Sequence, residues 1–269
     1  MRSVLVLFLC MACIASLANA HEFWIDPVEP VVPEGGEVVA SLRVGQAYEG
    51  SSYAYVPPNF RRFDYVWQGE TRPVEGVIGD RPAATVAVEG EGLMVLIHVT
   101  TDTFLTWDTF EMFESFVRHK DAEWTLAEHE ARGISHEKVR EVYSRYAKAL
   151  VAVGSGEGAD AEAGLLTELV ALENPYTGGA EDGLRVRLLY QGAPRGDAQI
   201  EVFEKDAAGV VTVSTVRTDA AGEAVVPAVP GRSYMLDAVV LREPAADIAA
   251  AKNVSWESLW ANLTFYFPE

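Results

Sequence analysis

His21 directly follows Ala18-Asn19-Ala20, a small-x-small triplet of the kind that signal peptidase cuts after. If cleavage falls there, the α-amine and the imidazole Nδ1 belong to the same residue. Together they can chelate one metal ion, and a second imidazole from elsewhere in the chain would complete a three-nitrogen site. Such ligation suits Cu(II) or Ni(II), which favour square-planar nitrogen donors. The amine gives up its proton cheaply, because its pKa lies near ~8. The plainer reading is that His21 is only the residue next to a cut.

Four further histidines could supply the second imidazole. His98 ends an alternation in which Met94, Leu96 and His98 share one strand face, where the ordinary role is a hydrogen-bonded core histidine. His119 stands beside Arg118 and Lys120 at the end of a predicted helix, where it could simply complement the helix dipole. His21, His98 and His119 are therefore the candidate metal ligands. His129 and His136 lie in charged helical sequence and read as surface residues. Glu22, Asp26 and Glu114 could add oxygen ligands, although an acidic chain offers many carboxylates.

Other chemistries find little support. Cys10 and Cys13 both precede the cut, so the processed chain has no thiol, no disulfide and only nitrogen or oxygen ligands to offer. No Gly-x-Ser-x-Gly, His-Glu-x-x-His or phosphate-binding glycine loop occurs. Phe23-Trp24, Trp67, Trp107, Phe110, Phe113 and Phe116 read as core. A net charge of −19 argues against nucleic acid and anionic membrane partners and draws cations to the surface.

The elements that must position the histidines begin after the leader. Met1-Arg2 and the uncharged run Val4–Leu17 make residues 1–20 a secretory signal, since the run is shorter than the ~20 residues a spanning helix needs. Removing it leaves 249 residues, 269 minus 20, expected to be periplasmic or secreted and not inserted in a membrane. From residue 21 to 107, β-branched runs such as Val38–Val44, Thr85–Val88 and Leu93–Val99 alternate with Gly/Pro turns, predicting an antiparallel sandwich.

Residues 108–164 read as a helical insert and linker. Asp108 with Glu111 suggests a capped helix through Phe110, Phe113, Phe116 and Val117, and a second helix contains Trp124 and Ala127. Ser135 followed by Val139, Val142, Tyr143, Tyr146, Ala149, Leu150 and Val153 predicts a third. Gly154–Asp160 reads as a flexible linker or exposed loop. Residues 165–269 return to strands (Leu184–Tyr190, Gln199–Phe203, Val210–Val216, Ala224–Val226 and Tyr234–Leu241), about the size of an immunoglobulin-like sandwich. The expected class is mainly β: two antiparallel β-sandwich domains with a small helical insert.

Five separated segments resemble one family. They are His21-Glu22-Phe23-Trp24-Ile25 behind a leader, Val142 to Leu150, Leu172-Glu173-Asn174-Pro175-Tyr176 with Val186 to Pro194, Arg217 to Gly222, and Trp256 to Phe265. Together they look like the exported domain-of-unknown-function family 4198, often described as the periplasmic component of a cobalt or nickel transport system. The resemblance spans essentially the whole processed chain. It implies a periplasmic protein that binds or delivers nickel or cobalt beside a membrane metal transporter, and the donor chemistry of His21 adds copper to the candidate ions. Only His21 corresponds to a family feature able to bind metal. Two other classes stay open: a copper histidine-brace oxidoreductase, and a non-catalytic extracytoplasmic interaction module.

Overall fold

The computed structural model describes residues 21–178 and 183–269; the expected leader, residues 1–20, lies outside them. The N-terminal strands are β1 (Glu22–Pro27), β2 (Val31–Val32), β3 (Glu37–Gln46), β4 (Glu49–Tyr53), β5 (Phe60–Trp67), β6 (Glu70–Pro73), β7 (Ala84–Ala87), β8 (Gly92–Thr100) and β9 (Thr103–Thr106). Helices α1 (Phe110–His119) and α2 (Trp124–Ala131) precede β10 (Arg140–Val153). The rest comprises β11 (Thr167–Ala171), β12 (Leu184–Tyr190), β13 (Ala193–Pro194), β14 (Gln199–Lys205), β15 (Val211–Arg217), β16 (Glu223–Val226), β17 (Arg232–Arg242), α3 (Ala246–Lys252) and β18 (Trp256–Phe267).

These strands form three layers. A ten-stranded sheet runs β15-β14-β17-β18-β10-β8-β5-β6, with β2 and β9 also paired to β10. One face of it carries the four-stranded sheet β1-β3-β4 with β7, and Phe23, Ile25, Val38, Leu96, Ala149 and Val151 close the core between them. Its other face carries β11-β12-β13 with β16, over a core that includes Ile97, Leu150, Leu188, Ile200 and Leu263. The sandwich class expected from the alternating runs is therefore present, with one large sheet common to both sandwiches.

The third predicted helix is a strand. Residues 140–153 form β10, which pairs in parallel with β18 and antiparallel with β8 and β9. The misreading has a clear cause. β10 lies between two layers, so Ala147, Ala149, Val151 and Val153 enter one core while Tyr146 and Leu150 enter the other. A strand buried on both faces loses the alternation that identifies strands, and its apolar residues can then mimic helical spacing. The helices preceding β10 are thus α1 and α2. The cap of α1 is Thr109, whose side chain accepts from the Met112 amide, rather than Asp108.

The following loop is also more firmly held than expected. Asp160 is buried, and its carboxylate meets the Lys148 ammonium at 2.7 Å, with Glu168 3.0 Å from the same nitrogen.

The helices cover the same face of the large sheet as β1, beyond its end. Trp107, Phe113, Phe116, Trp256 and Trp260 pack together there. Beneath them Glu141 is fully buried, accepting from Trp107 Nε1 at 3.0 Å and from the Ser258 hydroxyl. Burial pushes the Glu141 carboxyl up to about 7, against the pull of those two donors toward the charged form. A folded pKa above the unfolded value contributes stability that is fully present below about 4.5 and lost as pH rises through about 7. Glu141→Gln should therefore remove about 3 kcal/mol of the decline in unfolding free energy between pH 4.5 and 8. Urea titrations at both pH values check this, and an unchanged decline would contradict it.

Candidate functional site

Strand β1 is the end strand of the four-stranded sheet and lies beside α1, and the seam between them is lined with charge. Register places Glu201 of β14 opposite Asp237 of β17, Asp237 opposite Asn262 of β18, and Asn262 opposite Ala147 of β10. Glu22 of β1 and Lys120, just past α1, close over this row. Lys120 Nζ contacts Glu201, Asp237 at 3.2 Å and Glu22 at 3.6 Å, and lies 4.7 Å from the centre of the Trp260 ring. All four ionisable side chains are buried.

One ammonium thus faces three carboxylates. Burial works against the charged form of Lys120, yet Asp237, Glu201 and Glu22 outweigh it and raise its pKa. Burial likewise pushes Asp237 up to about 7 and raises Glu22, with Lys120 opposing both. Among the described residues, Glu22 Oε2, Asp237 Oδ1, Arg145 Nε and both side-chain polar atoms of Asn262 have no hydrogen-bond partner. Unmet polar atoms in a buried patch are costly and so mark a place where something else can bind.

The histidines fall around this seam at different depths. His21 is exposed, and its carbonyl accepts from Arg145 Nη2 at 2.8 Å, which fixes the backbone from which its imidazole projects. His119 is 60% exposed and lies 2.8 Å from Glu201 Oε1. That hydrogen bond raises its pKa, with burial opposing. His98 is buried on β8 among Phe23, Phe60 and Phe63, with ring centroids 4.9, 5.3 and 5.0 Å away. Burial lowers its pKa to about 3, and its Nδ1 has no partner among the described residues.

His98 and His119 do not share a site. His119 is bonded to Glu201 of β14, and β14 is separated from β8 by β17, β18 and β10. Four strand spacings span roughly 19 Å, whereas two imidazoles on one ion, each ~2 Å from it, must nearly touch. Among the described residues no group of three or more His, Cys, Asp or Glu side chains is placed to hold a metal ion. The three candidates thus divide into His21 near the middle, with His98 and His119 toward opposite sides.

His129 was expected at the surface and is instead fully buried, accepting from Trp256 Nε1 at 3.1 Å. Its cover comes from β18, 127 residues later in the chain, which nothing in the charged local sequence signals. His136 is half exposed and stacks on Phe110 with centroids 3.8 Å apart. Asp26 pairs with Arg43, and Glu114 with Arg118, so neither carboxylate is aimed at a histidine. Sequence reasoning missed Lys120, Arg145, Glu201, Asp237 and Asn262, whose meeting depends on pairing between distant strands.

Beside the seam, a cavity of about 480 Å³ has His98, Phe23 and Arg145 in its wall. A smaller one of about 330 Å³ is lined by Glu22, His119, Lys120 and Glu201. No described helix is long and apolar enough to cross a membrane.

Comparison with known proteins places residues 18–242 in a match to the family described as "Domain of unknown function (DUF4198)". No curated protein matches the chain. Among solved structures, 91% of the chain aligns to one described as the "tetra-tandem repeat in extending region of large adhesion protein". Identity is 9% and the TM-score 0.20, and the alignment spans 49% of that longer chain. A TM-score this low does not bear on fold or function.

Proposed function

The chain belongs to the DUF4198 family, and we propose that it is exported, processed after Ala20, and binds a divalent transition-metal ion through His21. Nickel, cobalt and copper are the candidate ions, and their carriage to a membrane transporter is the proposed role. Cleavage creates the key donor, since the His21 amine exists only once the leader is gone. Bound there, the metal would be held by the amine and imidazole of one residue, with one further imidazole.

The state of His98 is the observation that carries this reading. Its ring is neutral across the physiological range and its buried Nδ1 is unmatched among the described residues. A neutral imidazole binds metal without first losing a proton. His119 is poised the other way, because Glu201 favours its protonated form. Phe23, two residues along β1 from His21, touches the His98 ring. His98 is therefore favoured over His119 as the third nitrogen.

Calorimetry on protein beginning at His21 tests this choice. His98→Phe fits an aromatic cluster and should weaken Ni(II) or Cu(II) binding by about 10–100-fold, as loss of a ligand or its support commonly does. His119→Phe should change it by no more than about threefold. The reverse ranking would transfer the third nitrogen to His119.

A further inference from the structure

Arg145 is the least expected charge in the protein. The chain has 40 acidic and 21 basic residues, so carboxylates are abundant. Other arginines find them: Arg43 with Asp26, Arg62 with Asp64, Arg242 with Glu257. Arg145 is 8% exposed and makes no ion pair among the described residues. Its Nη2 donates to the His21 carbonyl, its Nε has no partner, and its guanidinium lies 4.5 Å from the centre of the Tyr143 ring. A buried cation without an anion costs several kcal/mol. Asp237 and Glu141 act on Arg145 only at a distance, without an ion pair, so a ligand carboxylate can still bond its guanidinium directly.

The cavity beside Arg145 has the shape for such a ligand. Its volume of about 480 Å³ lies within the range of small-molecule sites. Phe23, Leu42, Phe60, Phe104, Tyr53 and Tyr143 supply its apolar wall. Tyr53 and Phe104 remain half exposed at the rim, so the cavity is open. The nearby acid Asp102 is already paired with Arg61 at 2.5 Å and does not neutralise Arg145.

We infer that this cavity binds a small organic carboxylate with an aromatic or branched apolar body, its carboxylate seated on Arg145. A planar carboxylate matches the guanidinium fork. The single cation and apolar walls disfavour phosphate, which carries more charge and needs more donors. The inference does not rest on the metal reading, since the donor is a guanidinium and no ion is required.

The test uses the processed protein in excess EDTA, which separates this inference from metal binding. Calorimetric titration compares 2-naphthoate with 2-naphthylmethanol, its neutral counterpart. Naphthoate should bind at least about tenfold more tightly, the effect of a charge-assisted hydrogen-bonded pair. Arg145→Met should abolish that preference while leaving the alcohol's affinity unchanged. Ala54→Trp, which fills the cavity from its wall, should weaken both ligands and decides the matter even if Arg145→Met folds poorly. Equal binding of acid and alcohol by the native chain, a preference for naphthoate that survives Arg145→Met, or naphthoate affinity undiminished by Ala54→Trp overturns the inference.

Discussion

Lys148→Met should destabilise the protein by about 3–5 kcal/mol at neutral pH, the usual cost of removing one partner from a buried ion pair. Lys148 Nζ lies 2.7 Å from Asp160 Oδ1 and 3.0 Å from Glu168 Oε1, with all three side chains at most 1% exposed. Each carboxylate also holds backbone. Asp160 accepts from the amides of Ala161 and Ala171, and Glu168 from those of Ala163 and Leu165. The lysine thus ties the centre of the large sheet to the 154–166 loop and to β11. Methionine keeps the packing of the stem but leaves two carboxylates without a cation. Burial already raises the pKa of Asp160, with Lys148 opposing it. Without the lysine, Asp160 should take up a proton more readily, so part of the loss should be recovered toward pH 5. Urea unfolding at pH 7 and 5 measures both effects. A loss below about 1 kcal/mol at pH 7 would show that the triad is not a structural pin.

The same residue illustrates where sequence reading succeeds and fails. Around Lys148 the chain reads Tyr146-Ala147-Lys148-Ala149-Leu150, which suggests a lysine on the wet side of an amphipathic helix. Its anionic partners lie 12 and 20 positions later, in sequence resembling a linker and the start of a strand. Strands with one wet face or clear turns were legible: Leu184–Tyr190 coincides with β12, and Val38–Val44 lies within β3. Strand β10 was not, because burial on both faces erases the alternation.

The candidate site shows the same division. His98 was legible as a core-facing residue, since Met94, Leu96 and His98 alternate on β8. That its nitrogen lacks a partner depends on the aromatic rings of Phe23, Phe60 and Phe63, which come from two other strands. Arg145 and the Lys120 cluster left no local signature. Their character comes from which distant groups face them, and register sets that.

His21 was identified from its place in the chain, and its proposed chemistry is the most exposed to test. An amine and an imidazole on one residue form a chelate, so the second donor binds at no further cost in translational freedom. Acetylating that amine turns it into an amide nitrogen whose lone pair is delocalised, and adds no new amine beside it. The imidazole and the rest of the fold stay as they were, since His21 is exposed and held by its carbonyl. The amine must also lose a proton to bind, so affinity should rise by up to about tenfold per pH unit below its pKa near ~8. The acetylated chain should lack that part of the pH dependence.

The decisive measurement is Ni(II) and Cu(II) affinity, against a competing chelator, for protein beginning at His21 and for the same protein with that α-amine acetylated. The account predicts that acetylation weakens binding by about 100-fold or more, with the gap closing as pH falls from 8 to 6. Equal affinities at every pH would contradict it.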